Sequence, residues 1–295
     1  MSVGKTHFPA VLLLGVAIAV TAFAAGCSLF GSSPNASSSS LLPASAAERA
    51  RAILGHAPTG LAKAVVDRGS VIVAVDADYP PQSSLDEKTG KPAGFDVDVA
   101  EQVGKILGLT VQLRTAVWEM IPADLQRDKY DVAIDSIAIT DQSEKVLGLT
   151  DPYYYTIGQI FVAKGGVQIT SPADLAGRNV GVGAATVFYP WLKENTESVV
   201  KTYATDAEAL QDLAEGKLDF VMTAGQIGQQ AIRSGQPLEF SGKPLSYEHL
   251  AFATKQEEAD WLELLDYSVR QLHKDGALTA MSKKWFDGID LTVKE

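Results

Sequence analysis

Val71-Ile72-Val73-Ala74-Val75 is an unbroken apolar run between Gly69 and Asp76. A run of this length, nearly all β-branched, predicts a strand covered on both faces. The period then changes. From Phe95 to Leu107 the apolar positions Val97, Val99, Val103, Ile106 and Leu107 fit a packed helix. Thr110 to Leu113 predicts a strand, Met120 to Gln126 a helix, and Val132, Ile134, Ile137 and Ile139 another strand. Such alternation implies an α/β fold, with mostly parallel sheets carrying helices on both faces.

Asp131 to Tyr155 organises the rest. Its strand feeds a polar turn of Thr, Asp, Gln and Ser, then Thr150-Asp151-Pro152 and three tyrosines. Ligands of open α/β sheets sit outside the carboxyl ends of the strands, so this loop is where a small molecule would be held. Further on, Gly158 to Val162 predicts a strand crossing to a second lobe. Asn179 to Val182 and Leu218 to Met222 predict strands inside that lobe, and Asp206 to Ala214 a helix. Tyr247 to Thr254 leads back, and Glu257 to Lys274 is a long amphipathic helix. The expected division is residues 67–161 plus 250–295 for lobe 1 and 162–249 for lobe 2, joined by two hinge strands.

The amino end has a different character. Lys5 precedes an apolar run from Phe8 to Ala25, and Ala24-Ala25-Gly26 precede Cys27, the only cysteine of the chain. A charged start, an apolar stretch and small residues are the parts of a secretion signal, although the run also has the length of a membrane-spanning anchor. A cysteine directly after Ala-Ala-Gly resembles a bacterial lipobox, which implies cleavage of residues 1–26 and a lipid on Cys27. Residues 27–66, rich in Ser, Ala and Pro at their start, are expected to be a flexible tether with a short helix within Ala46 to Ala64. With its one thiol lipidated the fold has no disulfide, and a hydrophobic content of 46% supplies the core instead. The formal net charge of -11 disfavours nucleic acid as a partner. The four histidines, His7, His56, His249 and His273, show no metal-ligand spacing, and no Gly-x-Ser-x-Gly motif occurs. No cofactor, metal or catalytic residue is expected.

Several motifs together resemble family-3 periplasmic solute-binding proteins, the polar amino-acid receptors of ABC importers. They are Asp76-Ala77-Asp78-Tyr79-Pro80-Pro81, Gly94-Phe95-Asp96-Val97-Asp98-Val99-Ala100, Ser136-Ile137-Ala138-Ile139-Thr140, Leu149-Thr150-Asp151-Pro152-Tyr153, Ile169-Thr170-Ser171-Pro172-Ala173-Asp174-Leu175 and Lys284-Trp285-Phe286. The resemblance spans about residues 67 to 287. It implies a two-lobed clamp that closes on a ligand, a monomer, an ABC permease as partner, and attachment to the outer face of the membrane through Cys27.

It also implies where a ligand would lie. The family's arginine for a ligand carboxylate falls on Ser143, a hydroxyl position on Ala138, and the lobe-2 aspartate for an ammonium on Ala224. The lobe-2 Gly-Thr-Thr loop becomes Ala185-Thr186-Val187. The changes at Ser143, at Ala224 and in the lobe-2 loop disfavour an ordinary α-amino acid, because a buried carboxylate or ammonium without a partner is costly. Asp76 and Tyr79 stand where the family meets a cationic side chain and stacks on it. Asp135, Ser136, Trp118 and Phe188 complete the candidate lining. Carboxylates beside aromatic faces suit a cationic or neutral, ring-bearing molecule. Packing readings stand beside this one: Phe188 and Trp191 can fill lobe 2, Tyr153 to Tyr155 can be core, Asp135 can pair with Lys129 or Lys145, and Asp96 and Asp98 can serve a helix dipole. Alternative functions on the same frame are an amino-acid receptor with rebuilt anchors, an enzyme resembling cyclohexadienyl dehydratase, and a sensor or accessory protein without transport.

Overall fold

The computed structural model of the chain describes residues 45–293. The leader, Cys27 and the first part of the tether lie outside the described residues.

Two helices come first, α1 (Ala46–Leu54) and α2 (Gly60–Arg68). They correct the expected tether, because Ala50, Ala62 and Val65 are buried in the core of the first lobe. Ser45 caps α1 through a reciprocal box with Glu48, which satisfies end amides the helix cannot bond itself. Then follow β1 (Ser70–Asp76), the short strands β2 (Asp78–Tyr79), β3 (Ser83–Leu85) and β4 (Pro92–Ala93), α3 (Phe95–Leu107), β5 (Thr110–Ala116), α4 (Ile121–Gln126) and β6 (Val132–Ala138). A 3-10 turn over Trp118–Met120 precedes α4 where the sequence predicted helix from Met120. β1 runs parallel between β5 and β6. Its side chains alternate: Val71, Val73 and Val75 belong to one apolar cluster with α3, and Ala74 to another with Ile121 and Leu125 of α4. Two-sided covering is why this strand reads as an unbroken apolar run.

After β7 (Gly148–Leu149), β8 (Tyr154–Ala163) enters the second lobe, made of β9 (Asn179–Gly183), α5 (Phe188–Asn195), β10 (Val199–Tyr203), α6 (Asp206–Ala214), β11 (Phe220–Ala224) and α7 (Gly225–Arg233). β9 lies parallel to β10 and β11 around a separate core that includes Val180, Val182, Leu210, Leu213 and Met222. β12 (Leu238–Thr254) returns, starting earlier than the Tyr247 expected from sequence, and α8 (Ala259–Lys274) and α9 (Ala277–Trp285) close lobe 1. The long antiparallel pair β8 and β12 therefore runs through both lobes, with its register broken between Ser241 and Ser246. The main sheet has the order β10-β9-β11-β8-β12-β6-β1-β5. Among the described residues no helix is long and apolar enough to cross a membrane.

The lobes touch across the cleft. Trp118 Nε1 donates to Ala185 O at 3.1 Å, Tyr79 of lobe 1 packs against the lobe-2 core, and Arg233 pairs with Asp287.

Candidate functional site

The lobe-1 wall is built where β1, β6 and α3 end or begin. Gly94 approaches the loop so closely that a Cβ there would stand 2.1 Å from Gln82 O, and its φ of 149° also suits glycine alone. This approach lets Asp96 N donate to Gln82 O at 2.9 Å and brings the Asp96 carboxylate under β6. Both its oxygens are used: Tyr153 Oη donates to Oδ1 at 2.5 Å and Ser136 Oγ to Oδ2 at 3.0 Å. Tyr154 Oη donates to Ser136 Oγ at 2.7 Å, and Gln82 Nε2 to Tyr154 Oη at 3.4 Å. Ser136 has φ 56°, a left-handed conformation held by its N–H bond to Tyr153 Oη at 3.0 Å. Burial pushes Asp96 up to about 7, and the Tyr153 and Ser136 hydrogen bonds oppose the rise.

Asp135 is fully buried one residue earlier. Its Oδ1 accepts from Asp76 N at 2.9 Å and, at 3.5 Å, from Ser83 Oγ, whereas Oδ2 has no partner. Burial, then the charges of Asp96 and Asp76, hold its carboxyl well above the usual range. Asp76 is raised as well, chiefly by burial.

The opposite wall is also acidic. Asp206 opens α6 behind a Thr205 capping box, and its Oδ1 lies against Gly183 at the end of β9 without a hydrogen-bond partner. Burial pushes it to about 6, opposed by the Thr223 hydroxyl and the Gly183 amide. The fully buried Thr223 hydroxyl points at this carboxylate without closing a hydrogen bond of normal geometry. Glu248 stands on β12; burial, then the Asp206 charge, raises it to about 8, and its inaccessible Oε1 has no partner. Gln226 Nε2 and Ser246 Oγ are likewise buried and unpartnered. Tyr79 stands between the walls. Its hydroxyl is held well above its ordinary value by burial and then by Tyr154, Asp206, Glu248 and Asp96.

The structure thus gathers Asp76, Tyr79, Asp135 and Ser136, with Trp118 bridging to the loop that carries Thr186. Other expectations are corrected. Ser143 takes no outward role, since its hydroxyl donates to Ala138 O at 2.8 Å and accepts from Thr140 N at 2.9 Å, closing its own turn. Phe188 is lobe-2 core at 3% exposure, and its ring occupies space that a side chain at Gly158 would need. Val187 packs on the same core, and Thr186 Oγ1 donates to Gly183 O at 2.9 Å. Ala224 is 1% exposed and pairs with Gly158 in the sheet. Lys129 pairs with Asp124 at 2.6 Å, not with Asp135. Asp98, expected to serve the helix dipole, also binds Lys284 Nζ at 2.6 Å and Trp285 Nε1 at 2.7 Å, tying α9 to α3.

The sequence reading missed Gln82, Asp206, Thr223, Gln226, Ser246 and Glu248. Thr205-Asp206-Ala207-Glu208 reads as an ordinary helix start, and nothing local marks Asp206 as buried.

Known proteins share this frame. The L-cystine-binding protein TcyJ of Escherichia coli (strain K12) is 32% identical over 243 residues, covering 81% of this chain and 91% of that protein. An ancestral arginine-binding protein bound to arginine superposes with a TM-score of 0.69 at 30% identity, covering 74% of this chain and 99% of that one. The ancestral amino acid-binding protein AncCDT-1, a precursor of cyclohexadienyl dehydratase, gives 0.70 at 29% identity, covering 76% and 98%. The sequence profile of the bacterial extracellular solute-binding proteins, family 3, matches residues 71–288. With that match over most of its length, and with the two-lobed fold to carry it, the chain belongs to the bacterial extracellular solute-binding proteins of family 3.

Proposed function

We propose that this chain is an extracytoplasmic receptor of an ABC importer, attached to the membrane by a lipid on Cys27, and that its lobes close on a small organic cation. The observation that carries the ligand class is the set of buried carboxylate oxygens, Asp135 Oδ2, Asp206 Oδ1 and Glu248 Oε1, that have no partner in the cleft. Only neutral hydroxyls and an amide lower Asp96 and Asp206, and nothing lowers Glu248. A buried carboxylate without a counter-charge is unfavourable, so a cation entering between these walls gains more than it would in water. Among the described residues no three His, Cys, Asp or Glu converge as a metal site would require, which favours an organic cation over a metal ion. The faces of Tyr79 and Trp118 add cation-π attraction. Contacts to both walls are what make the closed state the favoured one.

A second reading, an amino-acid ligand, is favoured by the relatives, whose names specify cystine and arginine. Against it, the residue in the arginine register, Ser143, has spent its hydroxyl on a turn. An acidic cleft also opposes the carboxylate substrates of a dehydratase.

Thermal unfolding of the full chain in detergent, with amines, arginine, lysine and cystine at pH 7.5, tests the ligand class. A ligand at 100 times its Kd adds about 2.7 kcal/mol, or about 5–10 °C for a domain of this size. A shift with cystine and none with any amine would overturn the cation reading. For the anchor, Cys27→Ala is expected to move the protein from the membrane to the soluble fraction; retention at the membrane would refute it.

A further inference from the structure

We propose that the hinge carries its own opening bias: closing the lobes buries polar atoms of Ser246 and Gln226 that find no partner there, so the clamp without a ligand stands open. The bias lies in the hinge alone and holds whatever ligand the cleft takes.

The pivot is short. At one end of the β8 and β12 ribbon, Tyr153 N donates to Leu250 O at 2.9 Å, Ile139 N to His249 O at 2.9 Å and Tyr155 N to Leu291 O at 2.8 Å, which fixes that end to lobe 1. At the other, Gln159 Nε2 donates to Ser241 O at 2.9 Å and Ile169 N to Ser241 Oγ at 2.9 Å, which fixes it to lobe 2. Three residue pairs remain between these ties: Thr156 with Glu248, Ile157 with Tyr247 and Gly158 with Ser246. Bending of the clamp falls on them.

Ser246 lies at the lobe-2 end of this span, and its inaccessible Oγ has no hydrogen-bond partner. A Cβ built on Gly158 would stand 2.1 Å from that oxygen, 2.7 Å from Phe188 Cε1 and 3.1 Å from Met222 Cε. The hydroxyl is thus shut against a glycine backbone, an aromatic ring and a methyl group, with no room among them for a bridging water. A hydroxyl held in such a socket is less stable than one in water.

Gln226 crosses the pivot. It belongs to the first turn of α7 in lobe 2, yet its Oε1 accepts from Thr156 Oγ1 at the lobe-1 end of the span. Gly225 comes so near that a Cβ there would stand 2.7 Å from Ile157 Cγ1, so the start of α7 lies directly on β8. The amide nitrogen of Gln226 is buried at this contact with two N–H donors and no acceptor. Closure therefore makes one hydrogen bond across the pivot and leaves an amide and a hydroxyl unsatisfied. Leaving buried groups unsatisfied costs more than one such bond contributes. Opening lets water reach both. A ligand has to overcome the bias, which lowers its apparent affinity by the fraction of clamps that are closed.

The test is small-angle neutron scattering from the full chain without ligand, in detergent matched to the solvent, with thermal unfolding alongside. The unchanged chain is expected to be more extended than this structure, in which the lobes touch. Ser246→Ala, and separately the pair Thr156→Val with Gln226→Leu, put apolar groups of similar shape in place of the polar ones. Each is expected to be more compact than the unchanged chain, with the ratio of closed to open clamps raised about 5-fold. A higher unfolding midpoint with an unchanged radius of gyration would overturn the bias, because the groups would then be equally buried in both states. An unchanged chain that already scatters as this structure does would overturn it too, as would two folded variants no more compact than the unchanged chain. Circular dichroism shows whether each variant folds, and the comparison of the unchanged chain with this structure decides even if neither does.

Discussion

Asp96 and Asp206 occupy the same kind of place, the first turn of a helix at the end of a strand, and both are buried with carboxyls raised to about 7 and about 6. They differ in their oxygens. Asp96 has a donor on each, from Tyr153 and Ser136, whereas Asp206 Oδ1 has none. A raised titration therefore does not tell a structural acid from a binding one. Hydrogen-bond satisfaction does, because a fully bonded carboxylate fixes its neighbours, and an unsatisfied one is stabilised only by something that arrives.

The strongest way to break this comparison is Asp96→Ala. It strips the partners from Tyr153 and Ser136 in a closed aromatic core and should cost about 3 kcal/mol, lowering the midpoint of thermal unfolding by about 6–12 °C. A loss under about 1 kcal/mol would mean that the network is not structural. Asp206→Asn should do the opposite: weaken binding of the cationic ligand at least about 10-fold, or about 1.4 kcal/mol, and leave unfolding at pH 7.5 unchanged or higher. Equal affinity of Asp206→Asn and the unchanged chain in calorimetry would sink the binding role.

pH sharpens the same contrast. Asp206, Asp96 and Glu248 are raised from 3.8, 3.8 and 4.5 to about 6, 7 and 8. The native state then holds protons that the unfolded chain has released, so the stability these three groups contribute is fully present below about pH 4 and is lost as pH rises to about 8. Each extra proton held gives a slope of about 1.4 kcal/mol per pH unit. Binding of a cation should strengthen over the same interval, as the acids of the cleft give up their protons. Denaturant titrations from pH 5 to 9 check the sign, and Glu248→Gln should flatten the alkaline end.

Two smaller effects separate the lobe contact from the turn. Trp118→Phe removes the bond to Ala185 O across the cleft and should weaken ligand binding about 2- to 10-fold, in line with a net 0.5–1.5 kcal/mol per hydrogen bond. Ser143→Ala should cost stability by about 1 kcal/mol and leave affinity within a factor of about two, as measured by calorimetry. An affinity loss as large as that of Asp206→Asn would restore Ser143 to the cleft.

The elements were legible because their patterns are local. The apolar run at Val71 to Val75, the helix at Phe95 to Leu107 and the helix at Asp206 to Ala214 stand where periodicity placed them. The clustering of Asp76, Tyr79, Asp135 and Ser136 was legible too, since they lie at or beside strand ends in recognisable motifs. Phe188 misled because an aromatic after a loop looks the same whether it turns to the core or to the cleft. Glu248 gave no signal, because one acid in a polar strand is commonplace.

By itself the sequence determined the alternation of strands and helices, the family, and the absence of an arginine in its customary register, all of which depend on near neighbours in the chain. Only the tertiary structure decided that Asp206 and Glu248 are buried with an oxygen left unpartnered, that Asp96 is saturated, and that Asp135 retains a free oxygen. Burial and hydrogen-bond satisfaction are properties of residues brought together from distant parts of the chain, and no local pattern encodes which carboxylate finds its donors.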